Sequence, residues 1–325
     1  MIESIAIITL AFLSQLNIIS PEKNNAGFLE QFIKQEFVGE KFNLQERNQN
    51  YYFENINQEN ILEPLPSKIK GVVDFNIEAK SALVLDIGTD AVLYSKNSDQ
   101  KMPIASLTKI MTALVVVENI DLDDTVIISK NAFDTAGRKD SLAINEKIKA
   151  EDLLKIMLIR SNNTAAVSLA EHSSGSVEEF VKLMNQKAKS LGLKNTNFSN
   201  PTGFDSDKNY STAYDLAQLF DYASDELLIW EILRMQECRS GSRSAPASLD
   251  GKIKHNLKNT NLLLGKLKNI TGGKTGLTDE AGECLVLIVG DPIDNHKIIS
   301  VVLNAEDRFL ETEKLVKWIF GSYVW

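Results

Sequence analysis

Strand-like segments lie near both ends of this chain, and helical patterns fill the middle. Residues 81–87 and 91–95 flank a Gly-Thr-Asp turn, which is a β-hairpin pattern. Near the other end, 284–290 and 298–304 are apolar runs of strand length, and 308–321 follow with the periodicity of an amphipathic helix. Strands that come from both ends of a chain can share one sheet only if the residues between them form an insert. The pattern therefore predicts an α/β chain of the α+β type, in which a helical region is inserted into a sheet.

Helical periodicity or helix start signals occur repeatedly in that middle region. An apolar run begins just after Ser106 and predicts a largely buried helix. Further helices are predicted at 150–159, at 164–172, at 177–191, and from a cap at Ser211 or Thr212. Two stretches have little periodicity and predict polar, irregular structure, namely 121–150 and 237–252.

Composition excludes several classes of function. The chain has 325 residues, of which 43% are hydrophobic, so it can bury a proper core. Its net charge is −9 and it has no block of basic residues, which argues against a nucleic-acid partner. An acidic surface is compatible with a small or polymeric ligand that is not itself acidic.

The cysteines and histidines give no metal-binding pattern. Cys238 and Cys284 have no Cys-x-x-Cys spacing, so neither a disulfide framework nor a zinc site is indicated, and a single disulfide between them stays open. His172, His255 and His296 are far apart and have no carboxylate or cysteine neighbours at ligand spacing. We therefore expect neither a metal nor another cofactor.

The first 66 residues differ in composition from the rest. Residues 1–20 contain an apolar run that ends at Ser-Pro, which is typical of a signal peptide or an N-terminal membrane anchor. The run lacks a basic leader and is short for a membrane span, so an ordinary buried helix is the alternative. Residues 21–66 are rich in Asn, Gln and Glu and predict a low-complexity tether. Residues 67–325 then remain as the folded domain.

A serine and a lysine stand three residues apart at the start of the first apolar helical run. Three residues of an α-helix advance by about 300° and roughly 4.5 Å, so Ser106 and Lys109 would lie one above the other. The amine could then take the hydroxyl proton, and the free N–H groups of a helix start would favour an oxyanion. The same spacing also occurs at Ser20–Lys23, Ser67–Lys70 and Ser98–Lys101. Ser106 and Lys109 therefore need partners elsewhere in the chain.

Two further short segments could supply those partners. Ser161-Asn-Asn separates two predicted helices, where it could also be a simple helix cap. Lys274-Thr-Gly is the only Lys-Thr/Ser-Gly tripeptide in the chain. It lies between Gly272-Gly273, which predict a turn, and an apolar strand. A phosphate-binding loop is excluded, because the residue five positions before Gly273 is Lys268 and not the first glycine of that motif, and no helix follows.

Taken in order, these three segments resemble the motifs of the penicillin-binding protein and serine β-lactamase superfamily. Within it, residues 68–325 are most similar to the D-alanyl-D-alanine carboxypeptidases, the low-molecular-mass penicillin-binding proteins. The likeness extends to Pro103-Ile-Ala-Ser-Leu-Thr-Lys-Ile-Met-Thr, Ser199-Asn-Pro-Thr-Gly, Tyr210-Ser-Thr-Ala-Tyr-Asp-Leu and Gly273-Lys-Thr-Gly-Leu-Thr-Asp-Glu-Ala-Gly. Asn162 departs from the glycine that these carboxypeptidases usually carry. The resemblance implies a β-lactamase/transpeptidase-like fold, with a mainly antiparallel sheet flanked by helices and a helical subdomain.

The resemblance also implies a role for each motif residue. Ser106 would attack the carbonyl of a terminal D-Ala-D-Ala bond and form an acyl-enzyme, with Lys109 as its base. The other implied roles are a proton relay at Ser161, orientation of Lys109 and substrate by Asn163, carboxylate binding by Lys274 and Thr275 of the Lys274-Thr275-Gly276 motif, and an oxyanion hole formed by the N–H groups of Ser106 and Leu277. A lysine base must spend time neutral, and the charge of Lys274 is a plausible cause of a lowered pKa at Lys109.

Several alternatives share these motifs. A D,D-endopeptidase that cuts peptidoglycan cross-links would have all of them. A class A β-lactamase is disfavoured, because no Glu-x-x-Leu-Asn follows Asn163, and a non-catalytic wall-binding protein is disfavoured by the intact motifs. The implied ligands are peptidoglycan stem peptides and, as covalent inhibitors, β-lactams. The implied location is the extracytoplasmic face of a bacterial cell, where the protein is either secreted or held to the membrane by an uncleaved N-terminal segment.

Overall fold

The computed structural model describes residues 65–135, 142–243, 252–291 and 296–325. These residues belong to one compact unit that spans 63–325. The predicted leader, 1–20, and nearly all of the predicted tether, 21–66, lie outside the described residues. Among the helices within the described ranges, none has the length and apolar character that a membrane span requires.

The secondary structure consists of eleven strands and eight helices in the described residues, together with one 3₁₀ turn at Ala105–Thr108. The strands in chain order are β1 (Ser67–Lys68), β2 (Ser81–Asp86), β3 (Val92–Lys96), β4 (Thr125–Ile127), β5 (Lys147–Lys149), β6 (Glu237–Arg243), β7 (Lys252–Lys258), β8 (Ile270–Thr278), β9 (Gly282–Gly290), β10 (Lys297–Ala305) and β11 (Tyr323–Val324). The helices are α1 (Lys109–Asn119), α2 (Lys130–Thr135), α3 (Ala150–Ile159), α4 (Asn163–Ser174), α5 (Val177–Ser190), α6 (Ala213–Ser224), α7 (Leu227–Leu233) and α8 (Arg308–Ser322).

The main sheet draws its strands from both ends of the domain, as the sequence predicts. It has five strands in the order β3-β2-β10-β9-β8, and every neighbouring pair is antiparallel. The central strand β10 therefore pairs with β2 from the beginning of the domain and with β9 from its end. β8 forms one edge of this sheet. Residues 97–269, which include the helical region, connect the two groups of strands.

Each face of this sheet packs against helices. Successive residues of a strand point to opposite faces. Leu83 and Leu85 of β2 lie in a core that includes residues of α1, α3, α4, α5, α6 and α7. Ala82 and Val84 lie in the second core, together with Leu315 of α8. The domain is therefore a layered α+β structure, with the helical subdomain on one face of the sheet and α8 on the other. This confirms the predicted fold class.

Helix α1 lies in the middle of the larger core. Every residue from Lys109 to Val116 is buried, including the polar residues Lys109 and Thr112, which are both 0% exposed. The sequence predicts this helix to be largely buried. The Thr112 hydroxyl donates to the Pro201 carbonyl at 2.8 Å, so that its polar atom is satisfied inside the core.

A second sheet forms where the sequence predicts irregular structure. It has four strands in the order β4-β5-β6-β7, so residues 121–150 and 237–243 contain strands that the prediction missed. In β4 and β5 only the central residue is buried, Val126 and Ile148 respectively. Strands this short and polar produce no apolar alternation for a sequence pattern to detect. The rest of the predicted irregular stretch, 244–251, is outside the described residues.

The Gly272-Gly273 pair is also not a turn, and both residues belong to β8. A Cβ added at Gly272 would lie 2.2 Å from Trp230 Cε3, and one at Gly273 would lie 2.4 Å from Leu287 Cδ2. The two glycines are needed because neighbouring side chains approach the strand closely, which is the other common reason for glycine inside a strand.

The cysteines and histidines lie at separate places in the structure. Cys238 and Cys284 are both free thiols. His172 lies 3.2 Å from an Asp124 oxygen, and His255 lies 2.7 Å from a Glu146 oxygen. In the part of the chain that the structure describes, no three potential ligands form a group that could hold a metal ion.

Candidate active site

Ser106 lies in the 3₁₀ turn that leads into α1, and Lys109 is the first residue of that helix. The prediction placed both residues on one helix, whereas the serine precedes the α-helical segment. Their atoms still meet, because Lys109 Nζ is 2.9 Å from Ser106 Oγ. Ala105 has a φ of +48°, an uncommon value for a residue with a side chain. Such backbone strain persists only where the surrounding packing imposes it.

The Lys109 amine is buried and contacts three oxygen atoms. The side chain is 0% exposed, and Nζ donates to Asn163 Oδ1 at 2.7 Å and to the Thr202 carbonyl at 2.6 Å. Together with the Ser106 hydroxyl, these atoms occupy three positions around one nitrogen. Asn163 is the first residue of α4, so three separate segments of the chain meet at this amine.

A second buried lysine faces the first from the sheet. Lys274 of β8 is 1% exposed, and its Nζ donates to Ser161 Oγ at 2.8 Å and to the Thr275 carbonyl at 2.9 Å. Ser161 has a φ of +56° in the short link between α3 and α4. Each of the two lysines is therefore in contact with one serine hydroxyl.

The middle residue of the Ser161-Asn-Asn segment has a structural role. Asn162 is the N-cap of α4, and its Oδ1 accepts a hydrogen bond from the Ala165 N–H at 2.7 Å. The interpretation as a helix cap is thus right for Asn162, while Ser161 and Asn163 on either side of it contact the two lysines. The departure at Asn162 leaves both of these contacts in place.

Burial and a nearby positive charge lower the pKa of each lysine. Burial holds the pKa of Lys109 well below its usual value of 10.5, and the nearby charge of Lys274 lowers that pKa further. Burial also lowers the pKa of Lys274 to about 7, with a smaller contribution from the charge of Arg308. The predicted effect of Lys274 on Lys109 therefore has the expected direction, although desolvation is the larger cause.

The edge of β8 runs past the Ser106 turn. A Cβ added at Gly276 would lie 3.0 Å from Ala105 Cβ and 3.3 Å from Ser106 N. On one side of Gly276, the Thr275 hydroxyl is 2.6 Å from the Thr260 hydroxyl. On its other side, the Leu277 side chain is 59% exposed. Strand β8 thus places the backbone of residues 275–277 beside the serine.

A loop that received no role from the sequence forms part of the same site. The carbonyl of Thr202 accepts from Lys109, and a Cβ added at Gly203 would lie 1.9 Å from the Ala105 carbonyl oxygen. Asn200 holds this loop in shape, since its Oδ1 accepts from the Gly203 N–H at 2.7 Å and from the Thr202 hydroxyl at 2.8 Å. The only sequence signal was the Ser199-Asn-Pro-Thr-Gly segment, which the resemblance includes without a function.

Arg308 is a second residue near the site that the sequence did not indicate. It is the first residue of α8, and its guanidinium donates to the Gly276 carbonyl at 2.7 Å. Its charge is the second cause of the lowered pKa of Lys274. Nothing in the local sequence around residue 308 distinguishes it from an ordinary helix start.

This arrangement defines a chemical class. A serine hydroxyl lies against an amine whose pKa is lowered, and a second hydroxyl and amine lie opposite, at the boundary between a sheet and a helical subdomain. Such a site can activate a serine for attack on a carbonyl without a histidine or a metal ligand. It has the parts of a serine acyl-transfer site.

Comparison with known proteins identifies the family. Residues 68–307 match the family described as D-alanyl-D-alanine carboxypeptidase, and the chain belongs to that family. It is 38% identical over 254 residues to D-alanyl-D-alanine carboxypeptidase DacF of Bacillus subtilis, a match that covers 76% of this chain and 63% of that relative. It is 35% identical over 249 residues to the D-alanyl-D-alanine endopeptidase of Escherichia coli, covering 75% of this chain and 77% of that relative.

A solved structure supports the same relationship. The Streptomyces K15 DD-transpeptidase has a TM-score of 0.72 to this chain at 28% sequence identity. The match covers 77% of this chain and 100% of the transpeptidase. The fold therefore agrees with the motifs and with the family.

Proposed function

We propose that this protein is a serine D-alanyl-D-alanine carboxypeptidase that removes the terminal D-alanine from peptidoglycan stem pentapeptides through an acyl-enzyme on Ser106. The observation that carries the proposal is the fully buried amine of Lys109, which lies 2.9 Å from Ser106 Oγ. Burial of a lysine costs free energy, and a strongly lowered pKa at a buried group is typical of functional sites. Residues 67–325 are the proposed catalytic domain.

In the reactive state Lys109 is a neutral amine, which has two hydrogens and one lone pair for its three oxygen partners. The two hydrogens satisfy Asn163 Oδ1 and the Thr202 carbonyl, at 2.7 and 2.6 Å. The lone pair is then left for the hydrogen of the Ser106 hydroxyl. Lys109 takes this proton as the serine oxygen attacks the carbonyl of the scissile bond.

The remaining site residues handle the charges that appear during the reaction. The N–H groups of Ser106 and Leu277 receive the developing oxyanion, where one such donor is typically worth about 10²- to 10³-fold in rate. Ser161 relays to the leaving amine of D-alanine the proton that Lys109 took from Ser106, so that Lys109 is neutral again. Lys274 and Thr275 bind the terminal carboxylate, which is the charge-assisted contact that fixes the substrate in register. Water then attacks the ester, with Lys109 again as the base.

Labelling with penicillin tests the acyl-enzyme. A labelled penicillin should attach covalently to Ser106 in the wild-type protein, and the Ser106→Ala variant should not be labelled. The site of attachment is read by mass spectrometry of the labelled peptide. A wild-type protein that takes up no label would contradict the enzymatic function.

The second candidate function is D,D-endopeptidase activity on peptidoglycan cross-links. The identity of the chain to the Escherichia coli endopeptidase, 35%, is close to its identity to the Bacillus subtilis carboxypeptidase, 38%, which supports this second candidate. Incubation with a stem pentapeptide and with a cross-linked dimer distinguishes the two. Free D-alanine is released only by carboxypeptidase action, and separated stems only by endopeptidase action.

The substrate requires the protein to act outside the cytoplasm. We propose that residues 1–20 direct export or hold the protein to the membrane, and that residues 21–66 are the tether that leads to the catalytic domain. Fractionation of cells that express the full chain or residues 67–325 tests this. The full chain should appear in the membrane or exported fraction, and residues 67–325 should stay in the cytoplasm. Equal distribution of the two forms would exclude a targeting role for the first 66 residues.

A further inference from the structure

A cavity opens at the edge of the main sheet that lies opposite β8. Its volume is about 340 Å³, and residues of β1, β3, α8, β11 and the segment 74–76 line it. A volume of this size is within the range of small-molecule sites, about 300–1,000 Å³. Strands β3 and β8 are the two edges of a five-stranded sheet, so four spacings of about 4.8 Å separate them. A ligand in this cavity would leave the reactive serine free.

Four aromatic rings line the cavity, and all four are half-buried: Phe75, Tyr94, Trp318 and Tyr323. Trp318 contacts each of the other three. Phe75 stacks on it, with ring centroids 5.8 Å apart and an angle of 21° between the planes. Tyr94 and Tyr323 approach it edge-on, with centroids at 6.1 and 6.3 Å. The rings give the cavity a rigid apolar wall that is partly open to solvent.

Two of these rings are held in place by hydrogen bonds within the protein. Trp318 Nε1 donates to the Val73 carbonyl at 3.2 Å, and the Tyr323 hydroxyl donates to the Leu93 carbonyl at 2.6 Å. Because the rings are already fixed, a ligand that binds them costs little conformational entropy. The Trp318 side chain then offers a ligand its apolar surface, since its one polar atom has a partner.

Side chains of both charges surround the rings. Lys68 Nζ lies 5.1 Å from the Trp318 ring centroid and 2.5 Å from Asp74 Oδ1. The Asp74 side chain is 94% exposed, so its oxygens can accept further hydrogen bonds. Lys96 and Asn76 also line the cavity, and both carry N–H donors. Hydrogen-bond donors and acceptors are therefore both available around an apolar centre.

This combination of groups distinguishes between classes of ligand. A cation is disfavoured, because the Lys68 ammonium already lies over Trp318 and Lys96 adds a second positive charge. An anion would meet the Asp74 carboxylate. A wholly apolar ligand would remove these polar groups from water without giving them a partner. A neutral ligand with an apolar C–H face and hydroxyl groups at its rim satisfies both kinds of group, and this is the chemistry of a sugar ring.

We propose that this cavity, which we name the Trp318 cavity, binds a neutral sugar residue of the glycan strand that carries the stem peptides. The C–H face of the sugar lies against Trp318, and its hydroxyl and amide groups contact Asp74, Asn76 and Lys96. The binding of a sugar does not depend on the chemistry at Ser106. The choice of the peptidoglycan glycan as its source rests on the proposed function.

A second point of attachment has a consequence for the choice of substrate. While the Trp318 cavity holds a glycan strand, the stem peptides of the same polymer stay at a raised effective concentration near Ser106. A weak sugar contact therefore strengthens the binding of a polymer without changing the reaction at the serine. A soluble stem peptide has no glycan and gains nothing from the cavity.

Isothermal titration calorimetry of the full chain with triacetylchitotriose, a soluble oligomer of N-acetylglucosamine, measures the sugar binding directly. We expect the wild-type protein to bind it, and Trp318→Leu to bind about tenfold more weakly, as for the loss of an aromatic anchor. Tyr222→Leu is the matched control, because Tyr222 is a 38% exposed ring with Lys187 Nζ 4.5 Å from its centroid, away from the cavity. Equal affinity in the wild type and in Trp318→Leu would overturn the proposal.

A second variant keeps the test valid if Trp318→Leu is unstable. Asn76 is exposed, so Asn76→Ala should fold normally and should bind the trisaccharide about threefold more weakly, the effect of one lost hydrogen bond. Circular dichroism and penicillin labelling confirm folding in each variant. Tetramethylammonium chloride should leave the affinity for the trisaccharide unchanged. Competition between the two ligands would assign the cavity to a cation and overturn the proposal.

Release of D-alanine separates this inference from the proposed function. Trp318→Leu should match the wild type on a soluble stem pentapeptide, and its rate on polymeric peptidoglycan should fall to about one third. Equal rates on the polymer would overturn the role of the cavity in holding the glycan strand. A wild-type protein that does not bind the trisaccharide would overturn the inference and leave the carboxypeptidase activity standing. A protein that binds the trisaccharide but releases D-alanine from neither substrate would overturn the proposed function and leave the sugar site standing.

Discussion

Two buried clusters of ionisable side chains in the described residues differ in the charges that they combine. Lys109 and Lys274 lie between the main sheet and the helical subdomain, and neither forms an ion pair with a carboxylate of the described residues. His255 lies in β7 of the second sheet, and Glu146 directly precedes β5. The Glu146 side chain is 0% exposed and the His255 side chain is 3% exposed, and Glu146 Oε1 lies 2.7 Å from His255 Nε2. One cluster therefore contains two potential cations, whereas the other pairs an acid with a base.

This difference in charge suggests different roles: the two lysines serve the reaction, and the Glu146–His255 pair serves the stability of the fold. Burial of an unpaired charge costs free energy and shifts its pKa towards the neutral form, which is what a lysine base requires. A matched buried pair keeps its partners together and is strongly destabilising only when one of them is removed. The first cluster should accordingly control the reaction, and the second should control the stability of the fold.

The largest effect is expected from loss of the Lys109 amine. Lys109→Met keeps the length of a buried side chain but removes the base, so we expect the rate of acylation by penicillin to fall by about 10³-fold or more. The rate is measured by stopped-flow labelling. Circular dichroism should show an unchanged fold, as the control. A variant that acylates at a rate within tenfold of the wild type would assign the base to another residue.

The second cluster should respond in the opposite way. Glu146→Ala leaves His255 and the Ala143 N–H, which donates to Glu146 Oε2 at 2.8 Å, without their acceptor. We expect the free energy of unfolding to fall by about 3 kcal/mol, as for other broken buried pairs. Urea denaturation measures this change, and the acylation rate per folded molecule should stay within about threefold of the wild type.

An exposed ion pair is the control for this prediction. Lys317 and Glu313 form an i,i+4 pair on α8 at 2.5 Å, with side chains 65% and 39% exposed. Glu313→Gln should change the free energy of unfolding by less than about 0.5 kcal/mol. If the two glutamate substitutions cost the same, burial would not be the reason for the effect at Glu146.

The pH dependence of kcat/KM should reveal the two lysines of the first cluster. The pKa of Lys274 is about 7, so above this pH the free protein loses the charge proposed to bind the terminal carboxylate, and kcat/KM should fall. Lys109 must be neutral to act as a base, so its depressed pKa sets the acid limb of the profile. Below that pKa the amine is protonated and kcat/KM falls as well.

Steady-state rates for a tripeptide between about pH 5 and pH 10 measure this profile. In the Lys274→Arg variant the alkaline limb should move to higher pH, because a guanidinium stays charged. An alkaline limb that does not move would show that another group causes it.

The smallest effect is expected at the two hydroxyls of Thr260 and Thr275, which lie beside the first cluster. Thr260→Val removes the hydroxyl that lies 2.6 Å from the Thr275 hydroxyl, which then loses its orientation towards the terminal carboxylate. We expect KM to rise by about threefold with kcat nearly unchanged, the pattern of a lost binding contact. Thr260→Ser keeps the hydroxyl and should restore the wild-type KM.

Much of the main sheet and of the first cluster could be predicted, because both depend on side chains with local signatures. The strands of residues 81–96 and 284–305 carry apolar runs, and the Thr212 cap of α6 accepts from the Asp215 N–H as the capping pattern indicates. The Lys274 motif is recognisable because lysine, a hydroxyl and glycine are adjacent.

The parts that were missed depend on features without a local signature. The Thr202 contact with Lys109 is made by a backbone carbonyl, which any residue could supply. Arg308 reaches Gly276 across 32 positions in the chain, so only the folded arrangement of α8 and β8 brings them together. The strand β6 is polar and exposed at Glu237 and Arg239, so its pattern does not differ from that of a loop.

The small β1–β11 ladder has a mechanical consequence. Ser67 pairs with Val324 and Lys68 pairs with Tyr323, in a sheet separate from the other two. Because this pairing is antiparallel, a force that pulled residue 67 away from residue 324 would break the bonds one after another and not all at once. Tension applied there would peel off the ladder at low force, before any load reached β2 or the strand that carries Lys274.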